Sequence, residues 1–393
     1  MSANNWVEQV NRESIIEIGQ QLVSIPSVSG DEFDVMQFVK NWFDERDISY
    51  IETANDPKRP NIIATVGNPA AGPLIAMNGH LDVVPVSDGA SWRTDPFEGV
   101  LSSDGTTLYG RGAADMKTSV GVMLTMMDLF RNAPLRGALT AHIVSDEERG
   151  ATFGTKHVVA KIEAGNIPRP DFSIVGEGSD FKIRIAERGG LGVRVHLKGR
   201  ASHTAVARVL GINAIQKAAK AILALEHHLD TFHPAVGHPV LSVNGIEAGV
   251  AHNVVPGDAV LDIDRRTVPG ETVDSVVADI RQKLDAVAVQ DPDFVYELEY
   301  DPERYTEANM TSVDSPLVVA FQNALRSLDR EPEFFVEWAG ITDARLYRQI
   351  GIDTVIMGPA GLNEHGANES ILVDDLVTQA RIYAATLSEL LGV

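Results

Sequence analysis

Five short stretches of the chain deliver an imidazole or a carboxylate directly after a run of apolar residues or a glycine-rich turn. Asn78-Gly-His80-Leu-Asp82 follows Leu74-Ile-Ala-Met77. Gly110-Arg-Gly-Ala-Ala-Asp115-Met-Lys117 ends a glycine-rich turn in an aspartate. Ser145-Asp-Glu147-Glu148 follows Leu139-Thr-Ala-His-Ile-Val144, and Gly176-Glu177-Gly178 follows Phe172-Ser-Ile-Val175. The fifth stretch, Gly358-Pro-Ala-Gly-Leu-Asn-Glu-His365-Gly-Ala-Asn-Glu369, carries a histidine among small residues. Short apolar runs bounded by turn residues read as buried strands, and the C-terminal ends of strands in α/β sheets are where ligands bind.

Each stretch has a chemical and a plain structural explanation. Asp82 sits two residues from His80, so a small bend lets it accept the second imidazole N–H, as metal-binding histidines require; a loop histidine beside a turn aspartate looks the same. Asp115 on a glycine turn can bridge two cations. The rival, a phosphate cradle, lacks both the dinucleotide-binding spacing and the Gly-Lys-Ser/Thr ending. Glu147 and Glu148 repel each other and are costly at a buried strand end unless cations neutralise them. Neighbouring side chains also diverge, which suits one to a metal and the other to protons; a solvated acidic turn is the alternative. Glu177 and His365 are single possible ligands. Five such features at strand ends of one domain are harder to dismiss than any one alone.

The elements that must position these residues follow from the pattern. Ile15, Ile18 and Leu22 recur at helical spacing over 13–24, and Pro26 and Gly30 break the helix. Asp31 is placed to cap a second helix with Phe33, Met36, Val39 and Phe43 on one face. Apolar strands begin at Asn61, with a helix near 117–131 among them, which predicts a layered α/β domain. Near 185 the texture changes. Val193 to Lys198 alternates as a half-exposed strand does. A helix is expected at 210–229 with Ile212, Ile215, Ala219, Ile222 and Leu225 on one face. Two strands (240–246, 259–264) and a helix (273–284) follow. From about 313 the α/β texture returns, ending in a helix near 373–391. The expectation is therefore one layered α/β domain formed by 1–184 and 304–393, interrupted by a smaller α+β domain over 185–303.

Composition narrows the class. Of 393 residues, 44% are hydrophobic and 22% charged, with 55 acidic against 33 basic side chains and a formal net charge of −22. Such a surface repels phosphate backbones and anionic lipid, so neither nucleic acid nor a membrane is an expected partner. There is no cysteine, so a metal must sit on His, Asp and Glu. The start lacks the basic and apolar regions of a signal peptide, and the expected location is the cytoplasm.

Taken together, these motifs resemble the zinc aminoacylase-type metallopeptidase family, which includes acetylornithine deacetylase, succinyl-diaminopimelate desuccinylase, aminoacylases, dipeptidases and carboxypeptidase G. The likeness runs from Ser24-Ile-Pro-Ser-Val-Ser-Gly30 to the final helix. It implies a zinc-exopeptidase-like catalytic domain with a mixed sheet between helices, an inserted α+β dimerisation (lid) domain, and a homodimer formed through 185–303. It implies two Zn²⁺, with Co²⁺ or Mn²⁺ as substitutes. Asp115 would bridge them, His80 and Glu177 would complete one site, and Glu148 and His365 the other. Glu147 would be the general base toward a hydroxide shared by the ions, and Asp82 the partner of His80. The peptide bond after Asp115 would be cis. In the inserted domain, His203 of Gly199-Arg-Ala-Ser-His203 would reach the partner subunit's active site, although Val206 and Ala207 stand where the family often has a proline. Asn253 and Arg266, the latter chosen over Arg265 for its spacing, match substrate-lining positions, as do Gly340, Thr342 and Arg345. The implied reaction is hydrolysis of an N-acyl-amino acid of the acetyl or succinyl type. Alternatives are a carboxypeptidase or dipeptidase of the same family, an inactive metal-binding relative, and a nucleotide-dependent enzyme using the 110–112 glycines.

Overall fold

A computed structural model describes residues 3–87, 89–336 and 340–393. They fall into two compact units. Residues up to Ile185, Thr311–Phe335 and Thr342–Val393 form the first; Ala186–Met310 form the second, joined by Val336, Gly340 and Ile341.

The first unit is built on a six-stranded mixed sheet. Its order is Tyr50–Thr53, Asn61–Gly67, Ala138–Val144, Leu74–His80, Phe172–Val175, Asp353–Ile356. The last four run parallel, and the first two are antiparallel additions. Strands Leu74–His80 and Ala138–Val144 are buried at every position, which is why they read as largely apolar runs without a regular polar face. The helix Lys117–Phe130 lies against them and is itself covered by the helices Arg12–Ser24 and Val373–Leu390. It therefore buries nearly all its residues and shows no polar face. Gly121 and Gly19 lie where these helices approach: a Cβ on Gly121 would meet the Gly19 backbone at 3.5 Å. The helix Phe33–Asp44 begins at Glu32 with no side-chain cap, and Phe33 is 43% exposed, so the expected Asp31 cap and the position of Phe33 on the apolar face are both corrected. Glu32 cannot cap because its carboxylate is taken by Arg59 and the Gly30 N–H. Val35, Met36, Val39, Trp42 and Phe43 form the buried face instead.

The second unit is a four-stranded antiparallel sheet, ordered Val240–Ala248, Asp258–Thr267, Gly189–Lys198, Val295–Tyr300. Helices Ala214–Leu225 and Val273–Gln290 share its apolar core with Val193, Val195, Leu197, Leu261 and Ile263. The expected helix over 210–229 is broken: Gly211-Ile-Asn213 interrupts it, and Asn213 caps the new helix by accepting the Ile215 N–H. Its buried stripe is Ala214, Lys217, Ala218, Ala221 and Leu225, while Ile215 is 42% exposed. Alanines allow the helix to lie close to the sheet, and Lys217 extends its stem to an ion pair with Asp291 at 2.7 Å. No helix of the described residues is long and apolar enough to cross a membrane.

Candidate metal centre

All five proposed ligands lie in the first unit, at the ends its sheet geometry dictates. Parallel pairing of Leu74–His80 with Ala138–Val144 and Phe172–Val175 sets His80, Glu147, Glu148 and Glu177 at the same edge. Asp115 enters from the turn before the Lys117–Phe130 helix, and the Asp115–Met116 bond is cis, the form the resemblance implies. His365 comes from the loop before Ser370–Leu372.

Two clusters result, and they share one residue. His80, Asp115 and Glu177 offer ligand atoms within 4.8 Å of one another, as do Asp115, Glu148 and His365. His80 Nε2 lies 3.2 Å from Asp115 Oδ1 and 3.2 Å from Glu177 Oε1. His365 Nε2 lies 2.9 Å from Asp115 Oδ2 and 3.1 Å from Glu148 Oε1.

The protons show what the clusters need. His80 Nδ1 faces the main-chain carbonyl of Asp82 at 2.9 Å. A carbonyl only accepts, so Nδ1 carries a hydrogen and the ring turns Nε2 toward two carboxylates. His80 Nε2 and Asp115 Oδ1 are both buried without a hydrogen-bond partner. Burial opposes charge on His80, yet Asp115, Asp82 and Glu177 pull its pKa well above the usual value. His365 is raised to about 9, first by its hydrogen bond to Asp115. For Asp115, burial is outweighed by His365 and His80, and its pKa falls. Glu148 is pushed up to about 7 by burial. Three carboxylates and two imidazoles thus converge on spaces that call for positive charge, a donor set that fits divalent cations.

Asp82 works differently from the expected arrangement. Its carboxylate is 3.5 Å from His80 Nδ1, and its two oxygens instead accept the N–H groups of Glu147 and Glu148 at 2.9 and 3.2 Å, with Ser29 Oγ at 2.7 Å. Asp82 therefore orients His80 through its carbonyl and the Glu147–Glu148 turn through its carboxylate. A second brace holds the same turn: Arg59 forks onto Glu32 and reaches Asp146, whose other oxygen accepts the Phe153 N–H. Glu147 belongs to neither cluster. Burial, then Asp343, Glu177 and Asp115, raise its pKa well above the carboxylate range against the pull of His80.

The substrate-lining positions divide between the units. Arg345 lies in the first, with its Nε buried and without a partner. Buried Thr342 precedes Asp343, which accepts a 2.6 Å hydrogen bond from Thr155 Oγ1 and is raised to about 6 by burial. His203, Asn253, Arg266 and Gly340 lie in the second unit. There the short strands Ser202–His203 and Val254–Val255 pair, and the Asn253 carbonyl accepts the Thr204 N–H. His203 Nδ1 accepts the Ala205 N–H, so its neutral ring carries the hydrogen on Nε2, free to donate. Arg266 pairs with Asp264 at 2.9 Å on the open face of the sheet, beside a depression of about 470 Å³ floored by Gly190 and Gly192. Arg265 points the other way and is buried against Glu271. The motifs passed over Asp343, between the noted Thr342 and Arg345, and Glu369, at the end of the His365 stretch. A carboxylate flanked by such residues was the available signal.

Residues 76–389 match peptidase family M20/M25/M40. The chain belongs to this family and is a hydrolase of amide bonds. Over 396 aligned positions it is 31% identical to the succinyl-diaminopimelate desuccinylase of Marinobacter nauticus, covering 96% of this chain and 98% of that one. Its fold is similar to a tripeptidase of Staphylococcus aureus (TM-score 0.75, 17% identity, 98% of this chain and 100% of that one). It is also similar to a dinuclear metal-binding peptidase of Bacillus subtilis (TM-score 0.72, 19% identity, 97% and 98%).

Proposed function

We propose that the chain is a two-zinc deacylase that hydrolyses an N-acyl-amino acid of the succinyl or acetyl type. The observation that carries this is the pair of ligand clusters meeting on Asp115 with Glu147 left outside both. His80, Asp115 and Glu177 would hold one ion, and Asp115, Glu148 and His365 the other. Zinc leads because imidazole and carboxylate donors are mixed, with cobalt and manganese as substitutes. Bound there, the ions would polarise the amide carbonyl and supply a water acidic enough to attack at neutral pH.

The chain's own residues do the rest. Glu147, beside the clusters but outside both ligand sets, takes a proton from the attacking water and returns it to the departing amine. Asp82 holds the Glu147 backbone by its N–H and so fixes where that carboxylate points. His203, with hydrogen on Nε2, donates to the oxygen on which negative charge grows, within the partner subunit of a homodimer formed through the second unit. Arg266 or Arg345 clamps a substrate carboxylate, with Asn253 and Gly340 lining the same substrate. The dicarboxylic acyl group named for the Marinobacter relative makes succinyl the first candidate. The proposed location is the cytoplasm.

A metal-loaded preparation assayed side by side on N-succinyl-amino acids, N-acetyl-amino acids and dipeptides tests the assignment. Turnover of an N-acyl substrate in preference to dipeptides is the expected result. Preference for dipeptides would replace the deacylase by a peptidase of the same family.

A further inference from the structure

We propose that Glu369 is a positioning residue that locks the Asp115 turn to the His365 loop and so sets the spacing of the two metal sites; the inference rests on the two-metal reading above.

Asp115 and His365 are 250 residues apart in sequence yet meet at 2.9 Å. Strand pairing brings their loops alongside: Ser370 is in register with Tyr109, and the Glu369 carbonyl accepts the Gly110 N–H. Past that short ladder the His365 loop is closed on itself by the Leu362–Ser370 bridge, and the Glu369 side chain ties it to the Asp115 turn. Its Oε1 accepts the backbone N–H groups of Gly112, Ala114 and Asp115 at 3.1, 2.9 and 3.1 Å. Its Oε2 accepts from Arg111 Nη1 at 2.5 Å. Arg111 then reaches back with Nη2 to the main-chain carbonyl of His365 itself, at 3.1 Å. One carboxylate thus grips the backbone of the bridging aspartate, while its counter-ion grips the backbone of a terminal ligand.

Both partners are buried, Glu369 completely, and the guanidinium is covered by the Trp92 ring at 5.4 Å. A buried ion pair of this kind is poor value as a stabiliser, because apolar residues of equal volume serve as well or better. What apolar residues cannot do is fix three N–H vectors and one carbonyl at once. Residues that orient metal ligands characteristically change metal affinity about 10- to 100-fold when altered.

The test is zinc titration of the metal-free full-length protein against a chromogenic chelator, together with thermal unfolding of the same metal-free samples. Glu369→Gln keeps the size and an acceptor for the backbone N–H groups but removes the charge that Arg111 needs. Arg111→Lys keeps the charge but loses the second arm to His365, and it decides the matter where Glu369→Gln fails to fold. The expected result is zinc binding weakened about 10- to 100-fold in Glu369→Gln, and by a smaller factor in Arg111→Lys, with the weaker of the two equivalents affected most. Variants with lowered metal-free melting temperature but unchanged affinity for both equivalents would overturn the positioning role. A wild-type protein that binds no zinc would instead overturn the two-metal reading.

Discussion

At the residue scale, the centre is defined by what each group cannot do with protein partners alone. His80 has spent its hydrogen on the Asp82 carbonyl, and Asp115 Oδ1 has none to receive. Glu147 is the exception, a carboxylate held nearby by its backbone and left free to move a proton. Glu147→Gln should lower turnover by about 10²- to 10⁴-fold while two metal ions per chain remain, a contrast read from initial rates and metal analysis of one preparation. Outside the centre, His142 is buried beside the Tyr347 hydroxyl, 2.7 Å away, and burial pushes its pKa down to about 3. The unfolded chain takes up a proton there below pH ~6.5, whereas the folded chain refuses it until about pH 3. Stability from this depressed base is therefore complete above pH ~6.5 and lost as pH falls toward the folded value, by at most ~1.4 kcal/mol per pH unit. His142→Gln should lose less stability than wild type between pH 7 and pH 5 in urea unfolding. An equal loss would show that the acid sensitivity lies elsewhere.

At the scale of elements, the ligands sit on short loops, but those loops spring from strands pressed directly against the Lys117–Phe130 helix. Gly79 makes that contact possible: a Cβ there would lie 2.8 Å from Val120 Cγ2 and 2.9 Å from Met116 Cε. Gly79→Ala should cost about 1–3 kcal/mol as the helix is forced away, measured by denaturant midpoint. Metal affinity should fall with it, because His80 ends one of the two elements being separated and Asp115 lies in the turn that leads into the other. The strands and the buried helix were legible in the sequence because burial on every side leaves mostly apolar runs with only a few buried polar residues. The apolar face of Ala214–Leu225 was not, since alanines line it and the more hydrophobic Ile215 faces outward. The Asp31 cap failed because a long-range pair, Arg59 with Glu32, claimed the helix start. Likewise Glu369 and Asp343 were invisible as roles: their partners, Arg111 and the 112–115 backbone for one and Thr155 for the other, are distant in sequence. The five candidate ligands stood out because each follows its own strand or turn signal, while their division into two metal sites came from the family resemblance.

At the scale of the whole molecule, the chain forms two compact units and spends its chemistry unevenly between them. Both candidate ligand clusters lie within the first, whereas His203, Asn253 and Arg266 belong to the second. In the proposed homodimer His203 serves the partner's centre. Sedimentation should then show twice the 42.5 kDa chain mass, and His203→Ala should reduce turnover by about 10²- to 10³-fold. Mixing inactive Glu147→Gln with His203→Ala protomers should restore part of the activity, since one mixed site in each dimer is intact. Failure to restore any would place His203 in its own subunit's site or outside catalysis. The account as a whole stands on two cations meeting at Asp115. Anomalous diffraction at the zinc edge from zinc-loaded crystals measures this most directly. Two peaks are predicted, each roughly 2 Å from its ligand atoms, one among His80, Asp115 and Glu177 and the other among Asp115, Glu148 and His365. No peak in either cluster, or zinc bound only elsewhere on the chain, would contradict it.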